Sequence, residues 1–178
     1  MKSLLCILLA TVAVASSCKA DCCPQYWHQF QGYCYRYFGD RVTWAAAEER
    51  CNQHFTSNGM AHLISVHSDS ENRFAYELFR SSAGDTPYWS YISGGPNHVY
   101  GYWIGLHQET SGGQWVNTDD SAFDYNNWKY GEPNNDFYGT ADEDCVHVWR
   151  RYYADDTNRV WNDMPCQKSM AFICKVKT

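Results

Sequence analysis

The chain has 178 residues, with 14 Lys and Arg against 20 Asp and Glu, a formal net charge of −6, nine cysteines and 17% aromatic residues. An acidic chain without a basic run lacks the electrostatic footprint of a nucleic-acid or anionic-membrane binder and suits a chain that gathers cations. The aromatic content is that of a small domain with a dense core.

Met1 to Ala20 has the pattern of a secretory signal peptide: Lys2, the apolar run Leu4 to Ala15, then small residues up to Ala20. The run is too short to span a bilayer comfortably, and no later stretch approaches a spanning length. Removing residues 1–20 takes away Lys2 and Lys19 and moves the formal charge from −6 to −8. Residues 21–178 are then expected to form one soluble, extracellular domain, long enough for a genuine core.

Tyr26 to Phe38 carries aromatic residues at strand density around Gln31-Gly32, which predicts a hairpin. Thr43 is placed to cap a helix from Trp44 to about Phe55, rich in Ala and Glu, with Trp44, Ala47 and Cys51 on one face. His62 to Val66 reads as a short strand. Ser68-Asp69-Ser70-Glu71 is a capping-box pattern that opens a second helix to about Arg80, with Phe74, Leu78 and Tyr76 turned inward. Ser81 to Tyr102 is a long loop rich in Gly, Pro and Tyr. Trp103 to Leu106 predicts a buried strand in which Gly105 permits close backbone approach. Gln114 to Val116 is another strand, Tyr125 to Trp128 leads into a long loop region, and Cys145 to Trp149 and Met170 to Val176 supply the last core strands. There is no internal repeat, and no N-x-Ser/Thr glycosylation sequon.

Cys6 and Cys18 leave with the signal. The remaining cysteines are Cys22, Cys23, Cys34, Cys51, Cys145, Cys166 and Cys174, an odd number. Outside the cell they should be oxidised, but which six pair internally is not fixed by counting. Cys22, near the free end of the chain, is positioned for an intermolecular disulfide.

The stretch from Glu132 to Asp163 holds more hard oxygen ligands than a fold alone requires. It contains Glu132-Pro133-Asn134, then Asp142-Glu143-Asp144-Cys145, then Trp161-Asn162-Asp163. Calcium takes about six to eight oxygens from carboxylates, side-chain amides and backbone carbonyls. Three short Glu/Asn/Asp clusters divided by turn-forming residues have the one-dimensional form of such a cage.

Glu132-Pro133-Asn134, Glu143-Asp144-Cys145-Val146, Trp161-Asn162-Asp163 and Cys166, with Trp103-Ile104-Gly105-Leu106 upstream, resemble a C-type lectin carbohydrate-recognition domain. The similarity runs from Cys23 to Cys174. Cys22-Cys23-Pro24 with Cys34-Tyr35-Arg36 more narrowly resembles the echinoidin-type secreted lectins of invertebrates. The resemblance implies an α+β double-loop fold, with two helices flanking small antiparallel sheets. It also implies the disulfides Cys23–Cys34, Cys51–Cys174 and Cys145–Cys166, leaving Cys22 to link two chains into a homodimer.

By the same resemblance, Glu132, Asn134, Glu143, Asn162 and Asp163 are the calcium ligands and also the sugar-binding residues. Pro133 is then a cis proline that lets both flanking side chains face the ion. Two vicinal sugar hydroxyls complete the shell, each giving its proton to a carboxylate and accepting from an amide. The order Glu-Pro-Asn is the family's form for equatorial 3- and 4-hydroxyls, so the expected partners are glycans of mannose, N-acetylglucosamine or fucose type. The chain departs from the pattern in two places. The segment between Asn134 and Glu143 is a few residues longer than in the mannose-binding collectins and sets Phe137 and Tyr138 beside the site. An auxiliary calcium site would fall near Gln108 and Gly112, which supply no carboxylate, leaving Asn135 and Asp144; that site is expected to be empty or weak.

An enzyme is the first rival class. His54, His62, His67, His98, His107 and His147 are accompanied by no nucleophile motif, zinc signature or phosphate loop, and a calcium-bound carboxylate is a poor general acid, so no catalysis is expected. The other rival is the same fold in structural service, as a mineral-matrix or ice-binding protein without sugar binding.

Overall fold

The computed structural model describes residues 23–83, 101–149 and 159–178. The signal-like segment, Cys22 and most of the Ser81–Tyr102 loop lie outside the described residues.

Chain order is β1 (His28–Phe30), β2 (Tyr33–Val42), α1 (Trp44–Cys51), β3 (Phe55–Thr56), β4 (Gly59–Met60), β5 (His62–Leu63), α2 (Asp69–Ala83), β6 (Gly101–Gln108), β7 (Trp115–Asn117), β8 (Cys145–Trp149), β9 (Trp161–Met164) and β10 (Met170–Lys177). The first hairpin turns at Gln31 and Gly32, both at positive φ (46° and 81°), the backbone that a two-residue hairpin loop needs to match strand twist. The main sheet runs β1-β2-β10-β6-β8-β9, with β5 also on β10 and β7 also on β6. β10 is its hub. It lies antiparallel to β2 and β5 and parallel to β6, where Ala171 faces Tyr102 and Phe172 faces Trp103.

Thr43 caps α1 through Oγ1, which accepts from Ala46 N at 3.4 Å. The helix stops at Cys51, short of the predicted end near Phe55. Past Asn52 the backbone tightens, with Gln53 N and His54 N donating to Arg50 O (3.3 Å) and Cys51 O (3.0 Å), and the Asn52 side-chain amide ties this end to Glu48 Oε1 (2.7 Å) and Ala61 O (3.2 Å). Phe55–Thr56 then pairs with Gly59–Met60 as a small hairpin. Ser68 caps α2, its Oγ accepting from Glu71 N at 3.2 Å, and the helix continues past Arg80 to Ala83. Ala75, Tyr76, Leu78 and Phe79 are buried along it, and Phe74 is partly buried.

The core has two lobes. Under α2, Tyr35, Phe79, Tyr102, Ile104, Val148 and Trp161 pack together. Under α1, Ala47, Leu63, Trp103, Met170 and Phe172 close around the Cys51–Cys174 bridge. The two fully buried indoles among the described residues are satisfied: Trp103 Nε1 gives to Val42 O at 3.1 Å and Trp161 Nε1 to Asn72 Oδ1 at 3.1 Å. Gly105 sits where a Cβ would stand 2.7 Å from both Leu63 O and Thr118 Oγ1, so only glycine lets the β5 chain and the 118 loop close on β6. Disulfides join Cys23 to Cys34, Cys51 to Cys174 and Cys145 to Cys166, with Cα separations of 5.5, 5.4 and 5.1 Å. These are the pairs that the family resemblance implies.

One buried ion pair links α2 to the hub strand. Lys175 Nζ lies 2.7 Å from Glu71 Oε1. Tyr35 donates its hydroxyl to the same oxygen at 2.7 Å, and His67 N donates to Glu71 Oε2 at 2.8 Å.

Candidate functional site

The five residues singled out in sequence stand on two kinds of support. Asn162 and Asp163 are in the middle of β9, where they pair with His147 and Val146 of β8. Both side chains are buried there, Asp163 completely. Sequence reading places the Trp-Asn-Asp cluster among loops; the structure places it on a strand, because Trp161 and Met164 bury alongside it and β8 pairs with all four residues. Glu143 precedes β8 by two residues and is only 3% exposed. Glu132 and Asn134 are on the loop before it, flanking Pro133, whose bond to Glu132 is cis.

Backbone donors hold the loop against the strand. Asp163 accepts from Asn134 N at Oδ1 (3.3 Å) and from Asn135 N at Oδ2 (2.7 Å). Glu143 Oε2 accepts from Asp136 N at 3.0 Å, and Glu143 N donates to Asn135 Oδ1 at 2.6 Å. Asn162 Nδ2 donates to Asp163 O. Lys129 is the one cation described beside the carboxylates, with Nζ 3.3 Å from Glu132 Oε1 and over the Trp149 ring.

This arrangement gathers like charge away from water. Burial, with the charges of Asp163 and Glu132 adding to it, pushes the Glu143 carboxyl up to about 7 against the pull of Asp136 N. Burial also raises Glu132, which Lys129 opposes. Glu132 Oε2 is buried with no hydrogen-bond partner among the described residues. A buried acceptor without a donor is costly, and hard carboxylate and amide oxygens with excess negative charge suit a hard divalent cation. Among the described residues no three His, Cys, Asp or Glu side chains are already drawn together on one point as in a filled metal site. The fit therefore rests on the donor chemistry and the orphaned oxygen.

Around the auxiliary position, Gln108 spends its side-chain amide on Gly113 O at 2.7 Å, and Asn135 Oδ1 is taken by Glu143 N. Asp144 keeps one buried oxygen without a partner among the described residues. In the extra loop Phe137 is partly buried with Lys168 over its ring at 4.2 Å, whereas Tyr138 is 82% exposed and meets Phe137 edge-on.

Comparison with known proteins agrees with this architecture. The family described as "Lectin C-type domain" matches residues 40–176. The "Alpha-N-acetylgalactosamine-specific lectin" of Patiria pectinifera is 34% identical over 181 residues, 98% of this chain and 95% of its own. A "C-type lectin mannose-binding isoform" of Oxyuranus scutellatus is 33% identical over 163 residues, 92% of this chain and 87% of its own. Among solved structures, human lithostathine superposes with a TM-score of 0.68 at 26% identity, over 88% of this chain and all of its own. The C-type lectin CEL-I from Cucumaria echinata gives 0.67 at 26%, over 86% and 96%. A calcium-independent type II antifreeze protein gives 0.62 at 25%, over 88% and 95%. These relatives are lectins and lectin-like proteins, not enzymes. On the family match and on the identity across nearly its full length, this chain belongs to the C-type lectin domain family.

Proposed function

We propose that this protein is a secreted, calcium-dependent lectin that recognises mannose-type sugars through Glu132, Asn134, Glu143, Asn162 and Asp163. The observation that carries the reading is the buried carboxylate group around Asp163, with Glu132 Oε2 left without a partner among the described residues beside the Glu-Pro-Asn turn. Bound calcium would neutralise these carboxylates and leave coordination positions for two vicinal hydroxyls. Glu132 and Glu143 then accept hydroxyl protons while Asn134 and Asn162 donate N–H groups, so the site reads hydroxyl orientation, not charge. With Gln108 and Asn135 engaged elsewhere, one functional ion per chain is proposed.

One monosaccharide makes few contacts, so binding is expected near the millimolar scale, about −4 kcal/mol per site. Linked sites turn this into avidity, which gives Cys22 a purpose. The reading includes residues 1–20 as a signal peptide, residues 21–178 as one domain and a homodimer bridged at Cys22. On a non-reducing gel such a protein runs at twice its reduced mass, and Cys22→Ser removes that band.

Retention on a mannan column tests the site: chelator should release the protein and mannose should elute it better than galactose. The double change Glu132→Gln with Asn134→Asp exchanges donor and acceptor across the turn and should move preference toward galactose. A second reading is a galactose-type specificity, favoured by the name of the Patiria pectinifera relative; elution of the unaltered protein by galactose in preference to mannose decides for it. A third is a lectin-like fold without sugar binding, favoured by the antifreeze neighbour. Failure to bind any sugar column in calcium decides for that one.

A further inference from the structure

Away from the calcium loops, a groove of about 570 Å³ opens between α1, the β6–β7 hairpin and the 118–123 loop. Its walls are aromatic: Trp44 from α1, Trp115 from β7 and Phe123 from the loop. Trp44 is fixed by Nε1 donating to Ile104 O at 2.8 Å and by His107, whose ring centroid is 4.5 Å away. Trp115 is braced by Trp128 at 5.0 Å. Buried Asn117 donates Nδ2 to the carbonyls of Ser121 and Ala122, holding the loop that carries Asp120 and Phe123.

The groove has acids and no Lys or Arg among its described lining residues. Glu48 is committed, one oxygen to His62 Nδ1 at 2.7 Å and the other to Leu63 N at 2.8 Å. Glu109 and Asp120 are exposed and form no ion pair with another described residue. Braced indole faces beside uncompensated carboxylates attract an organic cation. Guanidinium suits them better than ammonium, because it is planar, stacks on indole and offers forked N–H donors to a carboxylate. A free amino acid would bring its own carboxylate against Glu109 and Asp120, whereas within a polypeptide that carboxylate is an amide.

We propose that this groove is a docking site for an arginine side chain of a partner polypeptide, and that it works without calcium. It is independent of the sugar reading.

The test titrates N-acetyl-arginine amide into the isotope-labelled protein in chelator, following the indole N–H resonances of Trp44 and Trp115. Both should shift, and N-acetyl-citrulline amide, the neutral isostere, should fail to move them. N-acetyl-lysine amide and free arginine should bind more weakly. Trp115→Ala should weaken binding about tenfold. Since Trp115 also packs on Trp128, the surface pair Glu109→Gln with Asp120→Asn provides a second variant that leaves the core intact. It should weaken binding by a similar factor and leave chelator-sensitive mannan retention unchanged. Citrulline binding as well as arginine, an unchanged affinity in the double variant, or shifts confined to residues outside the groove would overturn the proposal. Equal or tighter binding of the lysine amide overturns the choice of guanidinium, and tighter binding of free arginine overturns the polypeptide source.

Discussion

Glu71 and Lys175 show how far a single side chain can depart from its apparent role. In sequence Glu71 completes a capping pattern, a surface feature at a helix start. In the fold it is 4% exposed and held by Lys175, Tyr35 and His67 N. Nothing in the local sequence shows that Lys175 will come to lie opposite it, because the pairing depends on α2 packing across the sheet. Lys175→Met strands a buried carboxylate and should cost roughly 3–5 kcal/mol in urea unfolding. Adding Glu71→Gln should recover most of that loss; equal instability of the single and double variants would show that the pair is not coupled. His147 is the second such residue. Burial lowers it from 6.5 to about 3, and neither ring nitrogen has a well-formed hydrogen bond to a described residue. The fold accepts only neutral imidazole, so its contribution is complete above pH 6.5. It is lost as pH falls from 6.5 toward 3, where the unfolded chain takes up a proton and the folded chain does not, at most about 1.4 kcal/mol per pH unit. His147→Phe keeps an aromatic ring beside Trp103 and should flatten that acid slope relative to the unaltered protein.

At the scale of elements, the parts legible in sequence are those written in local chemistry. The hairpin at Gln31-Gly32, the Thr43 and Ser68 caps and the buried strand around Gly105 all follow from backbone preferences of neighbouring residues. The misplaced boundaries go with tertiary contacts: the tightened end of α1 is tied across to Ala61 by Asn52, and β9 becomes a strand through β8 although Asn162-Asp163 looks like a turn. The clusters point to a cation-binding stretch and the family resemblance names five candidate ligands within it, but their division between a rigid strand and a loop could not be read from either. Gly105 tests the packing argument. Gly105→Ala drives a methyl into the Leu63 carbonyl and the Thr118 hydroxyl and should destabilise the protein by about 1–3 kcal/mol, seen as a lowered Tm without a change in the unfolding slope m. A neutral result would mean that β5 and the 118 loop can retreat from β6.

Taken as a whole, the molecule joins a well-packed sheet to a candidate site whose loop half is held mainly by backbone donors to Asp163 and Glu143. Calcium binding to the folded form alone should stabilise it by mass action. Protease digestion should therefore cut within residues 132–143 faster in chelator than in calcium, and equal cutting rates would argue against an ion there. The topology also bears on how the chain is made. The hub strand β10 follows the other described elements in sequence, yet β2, β5 and β6 all pair with it. A ribosome delivers this strand after all of its partners, so the sheet cannot be completed until β10 has emerged, and until then the edge of β2 that faces β10 waits uncovered. Oxidation should keep the same order in a nascent chain: the Cys23–Cys34 link forms within an early hairpin, whereas Cys51 must wait for Cys174.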